Sequence, residues 1–420
     1  MNKETALEKL FSLHTLGIKL GLENIVKFLK LLGNPQEKIK CFHVAGSNGK
    51  GSTASFIASI LKEADYKTGL YTSPHFVNFN ERIRINGLEI DDQFVVNFIE
   101  LHEKYIFENK LTFFEVTTAM AFHYFKEMGV DYAVIETGLG GRLDATNVIN
   151  PIGVVITSIS LEHTNILGDT IELITKEKAA IIKKNCKVFL GYIPESSEKL
   201  IEEICDKIDV EIFKLEDNII VRENFVELYN EELNIDKLNS PLRGYYQRYN
   251  AVLAALTVYK CLDIHNEKII EKGIQNVVVN TGLSGRYEIA KNRPLIILDS
   301  AHNLEGISNF LNEFRLEENK YIKKSLLFTA MRDKLVFQML VLLNSHFDTI
   351  YVTELTFERG LKIKELQELA EESDIKVTPV QIKEFLKEYL SKNAKDECLV
   401  ITGSMYLLGE VKKILPELTP

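Results

Sequence analysis

From Ile39 onward the chain alternates short apolar runs with stretches whose apolar residues recur at helical spacing. The runs Ile39–Val44, Lys67–Tyr71, Tyr132–Glu136 and Val154–Ser158 predict strands. Gln93–Phe107, Glu115–Met128 and Thr170–Lys184 predict helices between them, the last opening at Asp169 or Thr170 as a cap. Alternation of this kind builds βαβ units and therefore a mostly parallel sheet with helices on its faces. Residues 187–240 are less regular, and the alternating positions of Asn218–Asp236 suggest a hairpin or excursion. Helical spacing resumes at Tyr246–Leu262 and Glu267–Val277, and Asn280–Ser284 reads as a linker and hinge. A second alternation follows, with strands at Leu295–Asp299, Ser325–Thr329, Thr349–Thr353 and Leu399–Thr402. Helices are predicted at Leu304–Phe314, Leu335–Ser345, Ile363–Glu371 and Tyr406–Ile414. The expectation is an α/β protein of two domains, residues 1–283 and 284–420, the second smaller.

Composition narrows the function without defining it. A chain of 420 residues is too long for one ordinary core. Hydrophobic residues at 45% and charged residues at 26% are those of a globular protein. The net charge of −10 argues against a general binder of nucleic acid or anionic membrane. Five scattered cysteines form no pair at metal-ligand spacing and suit a reducing cytosol. The polar start, Met-Asn-Lys-Glu-Thr, lacks the apolar core of a signal peptide, and no run reaches membrane-spanning length. A cytoplasmic location is expected.

The richest stretch is 43–53, His-Val-Ala-Gly-Ser-Asn-Gly-Lys-Gly-Ser-Thr, between a predicted strand and a helix. Gly46, Gly49 and Gly51 let successive N–H groups point into one hollow at the positive end of that helix, and Lys50 adds a mobile cation. The combination suits a polyphosphate. It departs from the strict P-loop pattern, because Gly51 follows the lysine and the hydroxyls arrive at Ser52 and Thr53. Ligands of parallel sheets collect beyond the carboxyl ends of strands, so the residues after each strand matter most. Strand Tyr132–Glu136 runs into a glycine-rich turn ending in Asp144-Ala-Thr-Asn147. A carboxylate opposite a phosphate loop is where a Mg²⁺ ligand belongs, although a turn with a capping aspartate is the plain alternative. His163 follows the next strand, where a metal or phosphate role competes with ordinary packing. Thr72-Ser73-Pro74-His75 is a turn presenting Ser73 and His75. Lys176-Glu-Lys178 reads as a solvated helical face. In the second domain Asp299-Ser-Ala-His302-Asn303 closes a buried strand just ahead of a helix, more like a site than a solvated loop.

Together these stretches resemble folylpolyglutamate synthase, including its bifunctional bacterial form that is also dihydrofolate synthase, within the ATP-dependent Mur ligase superfamily. The resemblance runs through Gly46–Thr53, Thr72–His75, Glu81–Gly87, Phe114–Glu115, Glu136–Asn147, Thr157–His163, Lys176–Ala180, Gln247–Asn250, Gly285–Arg286, Asp299–Asn303 and Thr402–Glu410. Glu162 stands where that family has Asp, and Ser300 where it has Gly. The resemblance implies a P-loop-type, Mur central-type ATP domain and a Rossmann-like glutamate-ligase domain. It implies that Gly46, Asn48, Gly49, Lys50, Gly51, Ser52 and Thr53 hold ATP, with Asn250, Arg286 and Asp299 completing the nucleotide site. It implies a first Mg²⁺ on Ser73 and Glu136, and a second on His163 and Lys178, the lysine that the family carbamylates. Thr112, Phe113, Phe114, Glu115, Leu143, Asp144 and Ala145 would meet the pterin, and His302 and Ser404 the incoming glutamate.

The expected reaction is activation of a folate carboxylate by ATP to an acyl phosphate, which the amino group of L-glutamate attacks. Tetrahydrofolate is the expected acceptor, with dihydropteroate in the companion reaction, and the expected state is a monomer. A monofunctional folylpolyglutamate synthase, another Mur-type amino-acid ligase, a P-loop kinase and a nucleotide-binding regulatory module remain the competing readings. A kinase would release a stable phosphorylated product without glutamate, and a regulatory module would not turn over ATP.

Overall fold

The computed structural model describes all residues except 18–20, 222–225, 230–233, 236–237, 356–358, 393–395 and 419–420. Its backbone divides into two compact units: residues 1–74, 79–241 and 247–283, and residues 75–78, 242–246 and 284–420.

The first unit is organised by an eight-stranded sheet. In chain order its strands are β1 (Lys40–Ala45), β2 (Thr68–Tyr71), β3 (Ile83–Ile85), β4 (Leu88–Glu89), β5 (Tyr132–Glu136), β6 (Gly153–Ile156), β7 (Lys187–Leu190) and β8 (Ile212–Lys214). The spatial order is β4-β3-β2-β5-β1-β6-β7-β8. All pairings are parallel except β2 with β3 and β3 with β4. β1 opens on the exposed Lys40 and is buried from Cys41 on, apolar there except for His43, which is what a central parallel strand covered on both faces requires. The chain leaves β1 toward β2, then β5 returns between them while β6 lies on the other side. That reversal opens a crevice at the carboxyl ends of β5, β1 and β6, where open sheets bind ligands.

The helices before and after these strands bury apolar stripes against the sheet, and two of the resulting clusters can be described. One gathers Phe28, Tyr71, Val116, Met120 and Phe125, the other Val154, Ile174, Ile181 and Leu190. The irregular region at 187–240 contains more order than its pattern suggests: β7, β8 and the helix Glu195–Ile208 extend the main sheet. The excursion resolves into a small antiparallel sheet, β9 (Ile219–Val221), β10 (Val226–Tyr229) and β11 (Asn234–Ile235). Residues 222–225, 230–233 and 236 of that prediction lie outside the described residues. The predicted linker is shorter than expected, because Asn280 and Thr281 close the helix Val277–Thr281 and Gly282 ends it in the left-handed region.

The second unit holds a six-stranded sheet in the order β12-β13-β17-β14-β15-β16. Its strands are β12 (Glu288–Asn292), β13 (Leu295–Leu298), β14 (Lys323–Phe328), β15 (Thr349–Val352), β16 (Val377–Pro379) and β17 (Glu397–Thr402). Among these six strands as described, β12 alone pairs antiparallel. β12, β16 and the helix Ile382–Ser391 carry no alternation strong enough to have been predicted. Among the described residues no helix is long and apolar enough to cross a membrane.

Candidate active site

Residues 46–49 turn tightly out of β1, and the helix Lys50–Glu63 begins with no side chain capping its amino end. Its first N–H groups are therefore left for a ligand, at the positive pole of a 14-residue helix. Gly46 (φ +152°) and Gly49 (φ +85°) are required sterically. A Cβ on Gly46 would lie 2.0 Å from Thr157 Oγ1, and one on Gly49 would lie 2.7 Å from Asn250 Oδ1. Lys50 Nζ donates to the carbonyls of Gly46 at 2.7 Å and Ser47 at 3.1 Å, so the ammonium stays on the rim of its own loop. The buried hydroxyls of Ser52 and Thr53 find no hydrogen-bond partner among the described residues. Buried polar atoms are normally paired, so two orphan hydroxyls in the first turn, beside uncapped amides, fit a phosphate and its cation.

The end of β6 braces this loop. Ser47 N donates to Ser158 O at 2.9 Å, Ser160 N to Ser47 Oγ at 2.9 Å, and Asn48 N to Ser158 Oγ at 2.9 Å. The hydroxyls of Thr157 and Ser158 both donate to Asn48 O. Thr157, Ser158 and Ser160 fall within the stretch that carries the resemblance but are assigned no role there; three hydroxyls after a strand adjacent to a glycine loop are the clue to one. Asn250 reaches the same loop from the helix Tyr245–Leu262, where Gln247 Oε1 accepts from its Nδ2 at 3.3 Å.

On the other side of β1, Glu136 ends β5 as a buried carboxylate, and Ser73, after β2, donates its N–H to Glu136 Oε2 at 3.0 Å. The next residue, Thr137, holds a buried hydroxyl without a partner among the described residues. Ser73 and Glu136 are thus brought together. No group of three His, Cys, Asp or Glu side chains converges among the described residues. The buried Glu136 carboxylate is the kind of hard oxygen donor that an ion such as Mg²⁺ takes from a protein beside substrate phosphate and water.

Lys178 overturns the solvated-face reading. The helix Ile171–Ala179 buries it at 1% exposure, with Nζ 2.6 Å from Glu162 Oε1, itself 7% exposed. The i, i+2 spacing of Lys176 and Lys178 sends the two side chains to different faces, and only Lys176 remains at the surface side. Burial pushes the Lys178 ammonium below the usual lysine range, against the raising pull of Glu162, and the Lys50 charge adds to the lowering. His163, next to Glu162, adopts a left-handed backbone (φ +46°) as it caps the short helix Thr164–Leu167. Glu162 feels the charges of Lys178, Lys50 and His163 in turn, which places these groups in one electrostatic neighbourhood.

Gly138 lies between the two expected pterin-contact stretches, beside Phe114 of one and bonded to Asp144 of the other. The Phe114 ring sits where a Cβ on Gly138 would be, 2.5 Å away, and Thr112 and Glu115 form a reciprocal capping box on the helix Phe113–Glu127. Asp144 is 5% exposed and spends its carboxylate within its own loop. It accepts from Gly138 N at 2.9 Å, Leu139 N at 2.8 Å, Thr146 N at 3.0 Å and the Thr146 hydroxyl. That hydroxyl in turn meets His43 Nε2 at 2.9 Å, so a buried histidine of β1 props the loop from beneath. Burial raises the Asp144 pKa and lowers that of His43 to about 3. Leu143 and Ala145 flank this clasp.

In the second unit, the loops after β13 and β17 and the turn at 285–287 are stitched together. Ser300 N donates to Gly285 O at 3.0 Å and Gly403 N to Ala301 O at 2.9 Å. Asp299, 3% exposed and raised in pKa by burial, accepts from Tyr287 N at 2.8 Å and Ala301 N at 2.9 Å. Arg286, Asp299, His302 and Ser404 therefore sit on three adjoining loops. His302 Nδ1 contacts Ser300 O at 2.9 Å. A carbonyl only accepts, so Nδ1 carries a hydrogen.

Comparison with known proteins agrees with this architecture. The Mur ligase middle domain matches residues 44–258, and the glutamate ligase domain of Mur ligases matches residues 285–405. The fold and site define an ATP-dependent ligase of the Mur type. The chain is 34% identical over 414 residues to the dihydrofolate synthase/folylpolyglutamate synthase of Bacillus subtilis, covering 95% of this chain and 96% of that one. An Escherichia coli FolC structure in complex with DHPP and ADP superposes with a TM-score of 0.88 at 27% identity, over 99% of this chain and 98% of that one. A bifunctional folylpolyglutamate synthase/dihydrofolate synthase from Yersinia pestis, complexed with AMPPNP and a Mn ion, gives 0.86 at 26% identity over 99% and 98%. The chain belongs to the folylpolyglutamate synthase/dihydrofolate synthase family.

Proposed function

We propose that this enzyme uses ATP to join L-glutamate to the γ-carboxylate of tetrahydrofolate, extending a γ-linked polyglutamate, and that it also joins glutamate to dihydropteroate to make dihydrofolate. The observation that carries the reading is the crevice of the eight-stranded sheet. Four neighbouring strands, β2, β5, β1 and β6, end there in Ser73, Glu136, the uncapped glycine loop and the Glu162–Lys178 pair. The names of the relatives supply the substrate class.

In this reading Gly46 and Asn48–Thr53 cradle the ATP phosphates, and Asn250, Arg286 and Asp299 complete the nucleotide site. Ser73 and Glu136 would hold one Mg²⁺, and His163 with a carbamylated Lys178 a second; bound there, the ions neutralise charge on the phosphoryl oxygens. The acceptor carboxylate is a poor electrophile until activated: one of its oxygens attacks the γ-phosphorus of ATP, the bond to the β-phosphate breaks, ADP leaves, and an acyl phosphate results. The loop amides and the Lys50 ammonium meet the charge that spreads over the transferred group. The glutamate amine then attacks the acyl carbon and inorganic phosphate leaves. His302 and Ser404 serve the incoming glutamate. Thr112–Glu115 and Leu143–Ala145 shape the pterin subsite. Glu115 and Asp144 keep their carboxylates for the scaffold, so contact falls to Phe113, Phe114, Leu143, Ala145 and the backbone. A monomer in the cytosol is the setting we assign.

The test is the purified protein with ATP and glutamate, offered tetrahydrofolate or dihydropteroate in parallel. Glutamate-dependent phosphate release is expected with both. Release with tetrahydrofolate alone makes the enzyme monofunctional, a stable phosphorylated product formed without glutamate makes it a kinase, and phosphate release that ignores glutamate makes it an ATPase. Glu136→Ala should raise the Mg²⁺ concentration for half-maximal activity by at least about tenfold, since even a ligand's supporting partner contributes that much. An unchanged Mg²⁺ titration rejects Glu136 as a ligand.

A further inference from the structure

Tyr287 follows Arg286 and holds a backbone that aromatic residues rarely adopt, with φ at +46°. A glycine or asparagine would take this conformation at little cost, whereas a bulky side chain persists there only when its surroundings hold it. The surroundings are explicit. The phenol donates to Glu317 Oε1 at 2.7 Å, and the Arg243 guanidinium lies 5.2 Å over the ring while also bonding Glu317 Oε1 at 2.7 Å. The ring packs on Phe310 at 5.5 Å, and the residue is 3% exposed. Its N–H is held by Asp299 Oδ2. One residue before Arg286, Gly285 N donates to Glu288 Oε2 at 2.6 Å, and Lys412 Nζ bonds both oxygens of that carboxylate at 2.7 Å. The turn is thus fastened on both sides of Arg286, whose guanidinium bonds its own Gly285 carbonyl and bears its charge on the Asp299 carboxylate.

We infer that Tyr287 is a positioning residue for Arg286: its tethered phenol forces the left-handed kink that presents the guanidinium to the nucleotide. This rests on the reading of Arg286 as a nucleotide contact. A residue kept only for packing would give the same fold without the phenol, whereas a positioning residue needs the hydroxyl, because the Glu317 bond opposes relaxation of the backbone to negative φ.

The experiment compares Tyr287→Phe, Glu317→Gln, Glu317→Leu and Arg286→Ala in the full chain by steady-state kinetics and thermal unfolding. Tyr287→Phe keeps the ring and should unfold near the wild-type temperature. Its KM for ATP should rise about tenfold, the worth of one hydrogen bond to a charged group. KM for glutamate and folate should stay within about twofold, because neither contact is built on that turn. Glu317→Gln retains an oxygen acceptor for the phenol and should rescue the ATP KM; Glu317→Leu should reproduce Tyr287→Phe. An unchanged KM for ATP in Tyr287→Phe, beside a raised one in Arg286→Ala, overturns the proposal and leaves the nucleotide reading standing. A silent Arg286→Ala removes the nucleotide reading of Arg286, and the proposal with it.

Discussion

Replacing Lys50 with alanine should lower kcat by roughly 10²–10³-fold, the cost of deleting one preorganised group aimed at developing charge. The fold should be almost untouched. Lys50 opens the helix Lys50–Glu63 and bonds only the carbonyls of Gly46 and Ser47, while the loop itself is braced by Thr157, Ser158 and Ser160 from β6. Alanine is at least as good a helix former, so thermal unfolding should shift by no more than an ordinary surface substitution. The loss should fall on kcat and on affinity for ADP, measured by calorimetry, and spare affinity for folate. Lys50→Arg keeps the charge but replaces a compact ammonium by a planar fork, so it should recover only part of the rate. Near-wild-type turnover in Lys50→Ala would refute the phosphate role of the loop.

Much of this site is legible in the sequence because its chemistry is local. The glycine loop, Glu136, Ser73 and Asp299 are each announced by their place at a strand's end, and the strands by runs of apolar residues. What escapes is whatever depends on partners distant in the chain. Lys178 looks solvated beside Glu177 and Lys176, and only the fold brings Glu162 to it from 16 residues away. Asp144 reads as a turn cap or, by resemblance, a pterin contact, yet the structure shows a clasp whose far end is His43, 103 residues from Thr146. Tyr287 carries no pattern at all, because a positive φ on an aromatic residue follows from tertiary tethers and not from propensity. The strands β7, β8, β12 and β16 are short or lie toward sheet edges, where one weak run of apolar residues cannot be told from a loop.

Lys178→Ala should be inactive and also destabilised by about 3–5 kcal/mol, because it strands the Glu162 carboxylate in the interior without its counter-ion. Activity loss alone therefore says little about the chemistry of Lys178, and the decisive measurement is made on the intact side chain. Carbamylation converts the ammonium into a carboxylate-like group. Here that exchange would set two negative charges side by side where a 2.6 Å ion pair now stands. Like charges in a buried setting are strongly unfavourable unless a cation lies with them. Carbamate on Lys178 should therefore need both dissolved CO₂ and a divalent ion, and the neutral amine it requires is favoured by the burial that depresses the lysine. With ¹³C-labelled bicarbonate, a carbamate resonance is expected in the native protein only after Mg²⁺ is added, and it should be missing from Lys178→Ala. Glu162→Gln removes the like charge, so its carbamate should form at lower Mg²⁺. Active enzyme showing no carbamate resonance with bicarbonate and Mg²⁺ both present would leave Lys178 as the buried partner of Glu162, and the second ion would lose one of its two proposed protein ligands.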